Sequence, residues 1–331
     1  MRYLTAFAGP PGHMVFVSLI APEQPQALVL VVHGAGSYLG PYLPFAWEVA
    51  ARGIAAALLD LPGHGFSDGV AAHTRSYRTY LDAIDVALSW AQAVCPAPAT
   101  FLAGESYGAV LALLHTARRG SAGPAAPAAV PAGRDASTAG DLPCGPTGGG
   151  RGPADAPAGI GDVAGLVLSA PAFRVAGVSH RALAAVRVLA RVLPRLRLPR
   201  GTPLAFTRNP VAGEIVRRDP LLNRRLTAAY AAELVRAGEE AARLAPRLDV
   251  PVLFLISHED PVVDNGAGRE VFSRLGEDHR TWEEFSGHAH ALFLEDPQGM
   301  AARVSEWVRG RVQGPAAGAS PSRPSWPPSS G

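Results

Sequence analysis

Continuous apolar runs dominate the hydrophobic pattern of the chain. Five of them read ALVLVVHG, GIAAALLDLPGHG, ATFLAGESYG, VAGLVLSAP and VPVLFLISHED, and they begin at residues 27, 53, 99, 163 and 250. An uninterrupted apolar strand is typical of a parallel sheet that is covered on both faces. The pattern therefore predicts five buried parallel strands.

Helical patterns separate these runs, at residues 44–52, 76–94, 107–119, 266–275 and 298–312. Before the first run, YLTAFAG and HMVFVSLI flank the turn at residues 9–12, which predicts an N-terminal hairpin. Strands that alternate with helices imply right-handed βαβ units. The predicted fold class is α/β with a mostly parallel, doubly wound sheet, and its ligands should bind beyond the carboxyl ends of the strands.

Three segments depart from this alternation. Residues 120–162 and the tail at 313–331 are rich in Ala, Pro, Gly and Ser, and we expect both to be disordered because they offer little apolar surface to bury. Residues 173–248 are helical in pattern and show no strand, which predicts a helical cap over the active face. The core would then consist of residues 1–119, the strand at 163–172 and residues 249–312.

One predicted cap helix, in RALAAVRVLARVLPRLRLPR, has two interpretations. Arg187, Arg191 and Arg195 recur every four residues, and Leu189, Val192 and Leu193 form a stripe on the other side until Pro194 bends or ends the helix. The helix could pack this stripe against the core. Alternatively, it could be a basic lid that contacts lipid aggregates or an anionic membrane surface.

Composition narrows the class of partner. A formal charge of +2, from 30 basic and 28 acidic residues, provides no net field for nucleic acid. Two cysteines give no disulfide framework, and a reducing compartment fits. The chain shows neither a secretory signal nor an apolar run of about 18 residues that could span a membrane. We therefore expect a cytoplasmic protein, at most peripheral to a membrane.

The most informative motif is Gly104-Glu105-Ser106-Tyr107-Gly108. It follows an apolar run and precedes a helical pattern, and Gly-x-Ser-x-Gly in that context is the nucleophile elbow of a serine hydrolase. The small residues permit a tight turn that raises the serine hydroxyl above the sheet. Ser106 is thus the candidate nucleophile. The structural alternative is a glycine-flanked serine in an ordinary βα turn.

A serine nucleophile needs a base and a group that orients the base. In folds with this elbow the acid and then the histidine follow the serine along the chain. Asp260 comes directly after the run PVLFLIS, and His288 and His290 follow the strand-like RTWEEFSG. The order fits, and it leaves both histidines open as the base. Glu259 and Asp264 compete with Asp260 as the acid.

Further segments resemble one family. VVHGAGSYLGPY, LLDLPGHGFSDG, LAGESYGAVLAL, VLSAPAF, LTAAYAAELVRAGEEAARLAPRLDVPVLFLISHEDPVVD and FSGHAHALFLE are similar, in this order, to α/β-hydrolases of the monoacylglycerol lipase and lysophospholipase group. FTRNPVAGEIVRRDPL resembles part of the family's cap. The resemblance covers nearly all of the chain outside the insertion and the tail, and it implies an α/β-hydrolase fold with an inserted helical cap.

The resemblance also implies the base. In this group the histidine lies three residues after a glycine and five before an acidic residue, which Gly287, His290 and Glu295 match. His290 is therefore the expected base and His288 a loop residue, with an exchange of the two as the alternative. The two histidines could also form half of a metal site with residues 258–260, but no third ligand has a familiar spacing. We expect no metal.

The acid and the oxyanion hole follow in the same way. The family's Asp-x-x-x-Asp pattern assigns the acid to Asp260, whereas Asp264 is expected to cap the next helix. Of the two N–H groups that must face the tetrahedral intermediate, Tyr107 supplies one, as the residue after the nucleophile. Ala35 is expected to supply the other, from a loop in which His33 is structural, like His64 elsewhere.

The resemblance points to a small-molecule substrate that is an ester of one acyl chain. Monoacylglycerol is expected first and lysophospholipid second, while a general carboxylesterase or thioesterase stays open. No cofactor is required, because the mechanism is acyl transfer through an acyl-enzyme. Glu105 and Tyr107 are bulkier than the family's commonest residues, so the pocket beside the nucleophile is not predicted. From another class, a non-catalytic relative that binds a ligand is the rival hypothesis.

Overall fold

A computed structural model describes residues 1–119, 162–199 and 206–313. The strands in this part of the chain are β1 (Arg2–Ala8), β2 (Val15–Ala21), β3 (Leu28–Val32), β4 (Ala55–Leu59), β5 (Thr100–Glu105), β6 (Val163–Ser169), β7 (Arg197–Pro199), β8 (Arg225–Thr227), β9 (Val252–Ser257) and β10 (Arg280–Phe285). The helices are α1 (Leu43–Ala51), α2 (Arg78–Val94), α3 (Tyr107–Arg119), α4 (His180–Val192), α5 (Pro210–Arg218), α6 (Ala228–Leu244), α7 (Asn265–Ser273), α8 (Leu292–Glu295) and α9 (Pro297–Val312).

One mixed sheet organises the core. Its strand order is β1-β2-β4-β3-β5-β6-β9-β10. β1 and β2 form the predicted antiparallel hairpin, and β2 is antiparallel to β4. All other neighbours in this sheet are parallel. The five apolar runs are β4, β3, β5, β6 and β9, so the predicted parallel sheet is confirmed.

Both faces of the sheet are covered, which explains the uninterrupted apolar runs. In β3, Leu28, Leu30 and Val32 belong to one core cluster, and Val29 and Val31 belong to the other. The first cluster includes residues of α2, α3, α6 and α7, and the second includes residues of α1 and α9. Each strand residue therefore meets apolar side chains whichever way it points.

The cap segment, residues 173–248, contains α4, α5 and α6 as well as two strands. Because β7 and β8 pair antiparallel, the expectation of no strand in this segment is wrong. Three residues per strand are too few to produce an alternating pattern in the sequence. The turn after α4 is joined to the start of α6 by main-chain bonds, from Ala228 N–H to Leu196 O at 2.8 Å and from Ala229 N–H to Pro194 O at 3.1 Å.

Helix α4 does not pack its apolar stripe against the core. None of its residues is fully buried, and Val192 and Leu193 are 71% and 52% exposed. Leu183 and Val186, nearer the start of the helix, line a cavity under the cap. The helix ends at Val192, before Pro194, as predicted.

The predicted disordered segments, 120–162 and 313–331, lie outside the described residues except for Asp162 and Gln313. None of the helices in the described part of the chain combines the length and the apolar composition that a membrane crossing requires.

Gly108 allows α3 to lie against β3, and its replacement tests this contact. A Cβ atom at Gly108 would come within 2.1 Å of the Val32 carbonyl oxygen, so the backbone would have to shift. We expect Gly108→Ala to lower the free energy of unfolding by at least about 2 kcal/mol. In the matched control, Gly310→Ala on α9, the new Cβ meets no atom within 4 Å. Helix propensity should make that change neutral or stabilising by up to about 1 kcal/mol. Denaturant unfolding of both variants measures the difference, and equal losses would contradict the packing argument.

Candidate active site

Ser106 lies in a strained turn between β5 and α3. Its φ of 58° is in the left-handed region, which costs a non-glycine residue about 1–2 kcal/mol. The Ser106 N–H donates to Ser169 O at 2.8 Å, and the Ser106 carbonyl accepts from Ala172 N–H at 3.1 Å. A Cβ atom at Gly104 would lie 2.3 Å from the backbone of Gly108. The glycines of the motif are therefore required for the turn itself.

His290 and Asp260 form a buried pair. His290 Nδ1 is 2.7 Å from Asp260 Oδ2, and the two side chains are 2% and 0% exposed. Asp260 Oδ1 accepts from the N–H groups of Val262 and Val263 at 2.8 and 3.1 Å. These donors stabilise the carboxylate and fix its orientation. Asp260 can therefore accept a hydrogen bond from His290 Nδ1–H, which leaves Nε2 as an acceptor.

His290 Nε2 is available for proton transfer. It is buried and has no hydrogen-bond partner among the described residues. His290 and Ser106 line the same cavity. Hydrogen bonds of a catalytic site often tighten only when substrate is bound.

The competing residues lie elsewhere. Asp264 caps α7, where it accepts from Gly266 N–H at 2.8 Å, and it pairs with Arg174 at 2.9 Å. His288 Nδ1 is 3.0 Å from the carbonyl of Ser286, two residues before it. Glu259, about half exposed, pairs with Arg208 of the cap segment at 2.6 Å. None of the three contacts His290 Nδ1 as Asp260 does.

Two backbone N–H groups lie close to the candidate nucleophile. Tyr107 is the first residue of α3, so its N–H has no acceptor within the helix. Ala35 lines the cavity beside Ser106. The loop that carries Ala35 lies close to the serine, because a Cβ atom at Gly34 would be 3.2 Å from Ser106 Cβ. His33 shapes this loop: its Nε2 accepts from Leu61 N–H at 2.9 Å, and its Nδ1 is 2.8 Å from Gly34 O.

The cavity above Ser106 has a volume of about 470 Å³ and is mainly apolar. The side chains that line it come from the core and from all three cap helices, for example Leu183, Val216 and Leu234. Among the described residues, the polar side chains that line it are those of Ser37, Tyr42, Glu105, Ser106 and His290. Such a site suits an apolar chain that ends in one reactive polar group.

Glu105 is the site residue whose environment the sequence did not reveal. Its side chain is buried, and its Oε1 accepts from Phe293 N–H at 2.9 Å and from Ser169 Oγ–H at 3.2 Å. Burial raises the pKa of the Glu105 carboxyl to about 7, although the Phe293 N–H bond and the charge of His290 act in the opposite direction. The motif signalled a polar residue beside the nucleophile, but its partners are distant in sequence.

Arg208 and its neighbours connect the cap segment to the histidine loop, residues 286–291 between β10 and α8. The sequence did not predict this connection. Ala291 N–H donates to Phe206 O at 2.8 Å, and the Phe206 ring lies 5.8 Å from the His290 ring. Arg208 N–H donates to the Glu295 carboxylate at 2.8 Å. Glu295, which helped to identify His290, thus contacts the cap.

The described residues contain no group of three or more His, Cys, Asp or Glu side chains that could bind a metal ion. The groups assembled around Ser106 are those of nucleophilic acyl transfer: a serine on a strained turn, a histidine aligned by a carboxylate, and unpaired N–H groups.

Residues 23–132 and 152–297 match the family Hydrolase_4, described as serine aminopeptidase S33. The chain belongs to this family. Human monoglyceride lipase is 26% identical over 87% of this chain and 84% of its own length. A phospholipase of Bacillus subtilis is 24% identical over 82% of this chain and 91% of its own length.

A solved structure extends the comparison to the fold. The monoacylglycerol lipase of Paleococcus ferrophilus superimposes with a TM-score of 0.70 at 23% identity, covering 90% of this chain and 99% of that protein. An uncharacterised abhydrolase domain-containing protein of Dictyostelium discoideum is 23% identical over 88% of this chain, which spans only 27% of that protein. The predicted α/β-hydrolase fold is confirmed. The family and these relatives indicate a serine ester hydrolase of the lipase and esterase type.

Replacing each of the two aspartates separates their roles. Asp264→Ala should lower the free energy of unfolding by about 1 kcal/mol, because α7 loses its N-cap, and should leave kcat/KM within about threefold of wild type. Asp260→Asn should lower kcat by about 10⁴-fold, because the amide favours the wrong histidine tautomer. Denaturant unfolding and ester hydrolysis of both variants test this, and inactivity of Asp264→Ala would reverse the assignment.

Proposed function

We propose that this protein hydrolyses carboxylic esters of single acyl chains, monoacylglycerol first among them, with Ser106 as nucleophile, His290 as base and Asp260 as the orienting acid. Ser106 Oγ attacks the ester carbonyl carbon while His290 Nε2 takes the hydroxyl proton. The N–H groups of Ala35 and Tyr107 stabilise the oxyanion. The bond to the alcohol breaks, and His290 returns the proton to the leaving alcohol.

The second half of the reaction releases the acid. Water attacks the acyl-enzyme, His290 accepts the water proton, and the fatty acid leaves as Ser106 recovers its hydrogen. Asp260 accepts the Nδ1–H bond throughout and stabilises the imidazolium without taking the proton.

The character of the cavity is the observation that favours an acyl ester. A peptide with a free amino terminus would require an anionic group to pair with its ammonium. Among the described lining residues the acidic side chain is the buried Glu105, whose Oε1 already accepts from Phe293 N–H and from Ser169 Oγ–H. The many apolar side chains from the cap helices suit an acyl chain instead. The similarity to human monoglyceride lipase supports monoacylglycerol, and the similarity to the Bacillus subtilis phospholipase supports lysophospholipid as the alternative. A general carboxylesterase or thioesterase uses the same chemistry with a smaller or different leaving group.

Substrate and residues can be tested together by measuring kcat/KM on monoacylglycerols of increasing chain length and on matched lysophospholipids. Wild type should prefer monoacylglycerols. His290→Gln should lose about 10⁴-fold or more, because proton transfer fails, whereas His288→Gln should stay within about threefold. Activity on aryl esters without activity on either lipid would retain the triad and reject the substrate class.

Labelling with a fluorophosphonate separates an enzyme from a ligand-binding relative. Wild type should be labelled and Ser106→Ala should not, because the probe reacts with an activated serine. Equal absence of labelling in both proteins would favour the non-catalytic class.

We also propose that the cap segment contacts anionic lipid surfaces, where such substrates reside. Residues 173–248 hold 15 of the 30 arginines and 5 of the 28 acidic residues, so this segment carries a formal charge of +10 and the rest of the chain −8. Val188 and Val192 of α4 are largely exposed, as are Val211 and Ile215 of α5. Arg187 pairs with Glu239 at 2.6 Å, whereas Arg191 forms no ion pair within the described residues. Exposed apolar and basic side chains together suit the interface of an anionic bilayer.

Vesicle sedimentation tests this contact. Wild type should bind vesicles that contain phosphatidylglycerol and should bind phosphatidylcholine vesicles weakly. Arg191→Gln with Arg195→Gln should weaken binding about 30-fold, at roughly 1 kcal/mol per arginine. The control, Arg303→Gln with Arg309→Gln, removes the same charge from α9 and should bind as wild type does. Equal losses in both double variants would show a general charge effect and no cap contact.

A further inference from the structure

Glu105 connects three parts of the active site. It is the last residue of β5 and directly precedes Ser106. Its Oε1 accepts from Phe293 N–H, three residues after His290, and from the hydroxyl of Ser169 at the end of β6. A change at Glu105 therefore reaches both the elbow and the histidine loop.

Tyr42 extends this connection to the loop after β3 that carries Ala35, called the oxyanion loop here. Its buried hydroxyl interacts with the Glu105 carboxyl and accepts from Gly34 N–H at 3.1 Å. Gly34 precedes Ala35, the proposed donor to the oxyanion. Burial and the neighbouring Glu105 carboxyl raise the pKa of Tyr42, so the phenol stays protonated and can donate to that carboxyl.

Few charged groups surround Glu105 in the part of the chain that the structure describes. The titratable groups that act on it there are Tyr42 and His290, and Asp260 lies behind His290. His290 supplies the positive charge that favours the ionised carboxyl. Because the site is buried, a charge at Glu105 and a charge at His290 affect each other strongly.

We propose that Glu105 is a second carboxylate of the catalytic site, a positioning residue that stabilises the imidazolium of His290 and fixes the spacing of the oxyanion and histidine loops. The proposal rests on the proposed function. When the Ser106 proton moves to His290 Nε2, Asp260 stabilises the cation from the Nδ1 side and Glu105 from the elbow. No proton is transferred to Glu105 in this step.

The direction of the pH effect follows. An ionised Glu105 favours the cation at His290, and a neutral one does not. In wild type, rising pH therefore ionises Glu105, whose pKa lies near 7. In Glu105→Gln the amide still accepts the two hydrogen bonds, but the charge is gone. The negative charge that favours the imidazolium is then absent.

The test is the pH profile of kcat and KM for 4-nitrophenyl butyrate between pH 5 and 9, together with the rate of fluorophosphonate inactivation. Glu105→Gln should lower the plateau of kcat about tenfold, with KM within about threefold. Its acid limb should move about one pH unit lower, because a nearby negative charge is lost. A purely structural role would lower the plateau and leave the limb in place.

Ser169→Ala is the matched variant, and it should shift the acid limb of the pH profile in the opposite direction. It removes one donor to the carboxylate, so Glu105 ionises at higher pH. Because the full rate requires the ionised carboxyl, the acid limb should move upward. Opposite shifts in the two variants support the proposal. If the acid limbs of both variants coincide with that of wild type, the proposal is overturned. If Glu105→Gln does not fold, the position of the acid limb of Ser169→Ala alone tests the proposal. A wild type inert to both the ester and the fluorophosphonate overturns the proposed function as well, so the two failures are distinguishable.

Discussion

The left-handed backbone of Ser106 is the constraint on which the rest of the site depends. A non-glycine residue keeps a φ of 58° only where its surroundings leave no other choice. Here the Ser106 N–H and C=O are both bound by the segment from Ser169 to Ala172, and Gly108 allows α3 to approach β3. The same approach places the first N–H of α3 and the loop after β3 around the serine. The proposed nucleophile and the proposed oxyanion donors therefore result from one packing arrangement, at the centre of a sheet that is buried on both faces.

Two carboxyl groups are buried in a mainly apolar site, and the fold treats them differently. Asp260 accepts from two backbone N–H groups and from His290, so its charge is stabilised before any reaction takes place. Glu105 has weaker compensation, and burial raises its pKa to about 7. In the folded state Glu105 binds its proton more tightly than in the unfolded chain, so its contribution to stability falls as pH rises from about 4.5 to 7. Retaining an acid that destabilises the fold at neutral pH is consistent with a role in the site and not in the core.

The sequence predicted those features that depend on neighbours along the chain. Apolar runs located five of the six strands that have a parallel neighbour, and the motif around Ser106 located the elbow, because each is a local pattern. The family resemblance singled out Asp260 and His290, whose pairing is visible in the structure, although their catalytic roles remain proposals. The strands β7 and β8 were missed because three residues carry no periodicity. The contacts of Glu105 with Ser169 and Phe293, and of Arg208 with Glu259 and Glu295, join residues that are 50 or more positions apart. Only the folded chain brings such residues together.

The net charge of the chain does not reveal how unevenly its charge is distributed. The total of +2 excluded a strong uniform field, yet it is the sum of a cap segment at +10 and a remainder at −8. Electrostatic attraction to a surface depends on the charges within about a Debye length of that surface, roughly 10 Å at 0.1 M salt, and not on the total. The acidic core would be repelled by the same anionic surface that attracts the cap. Charge separation of this kind would therefore orient the molecule at an anionic surface, and the residues that would face the lipid are those that cover the cavity above Ser106.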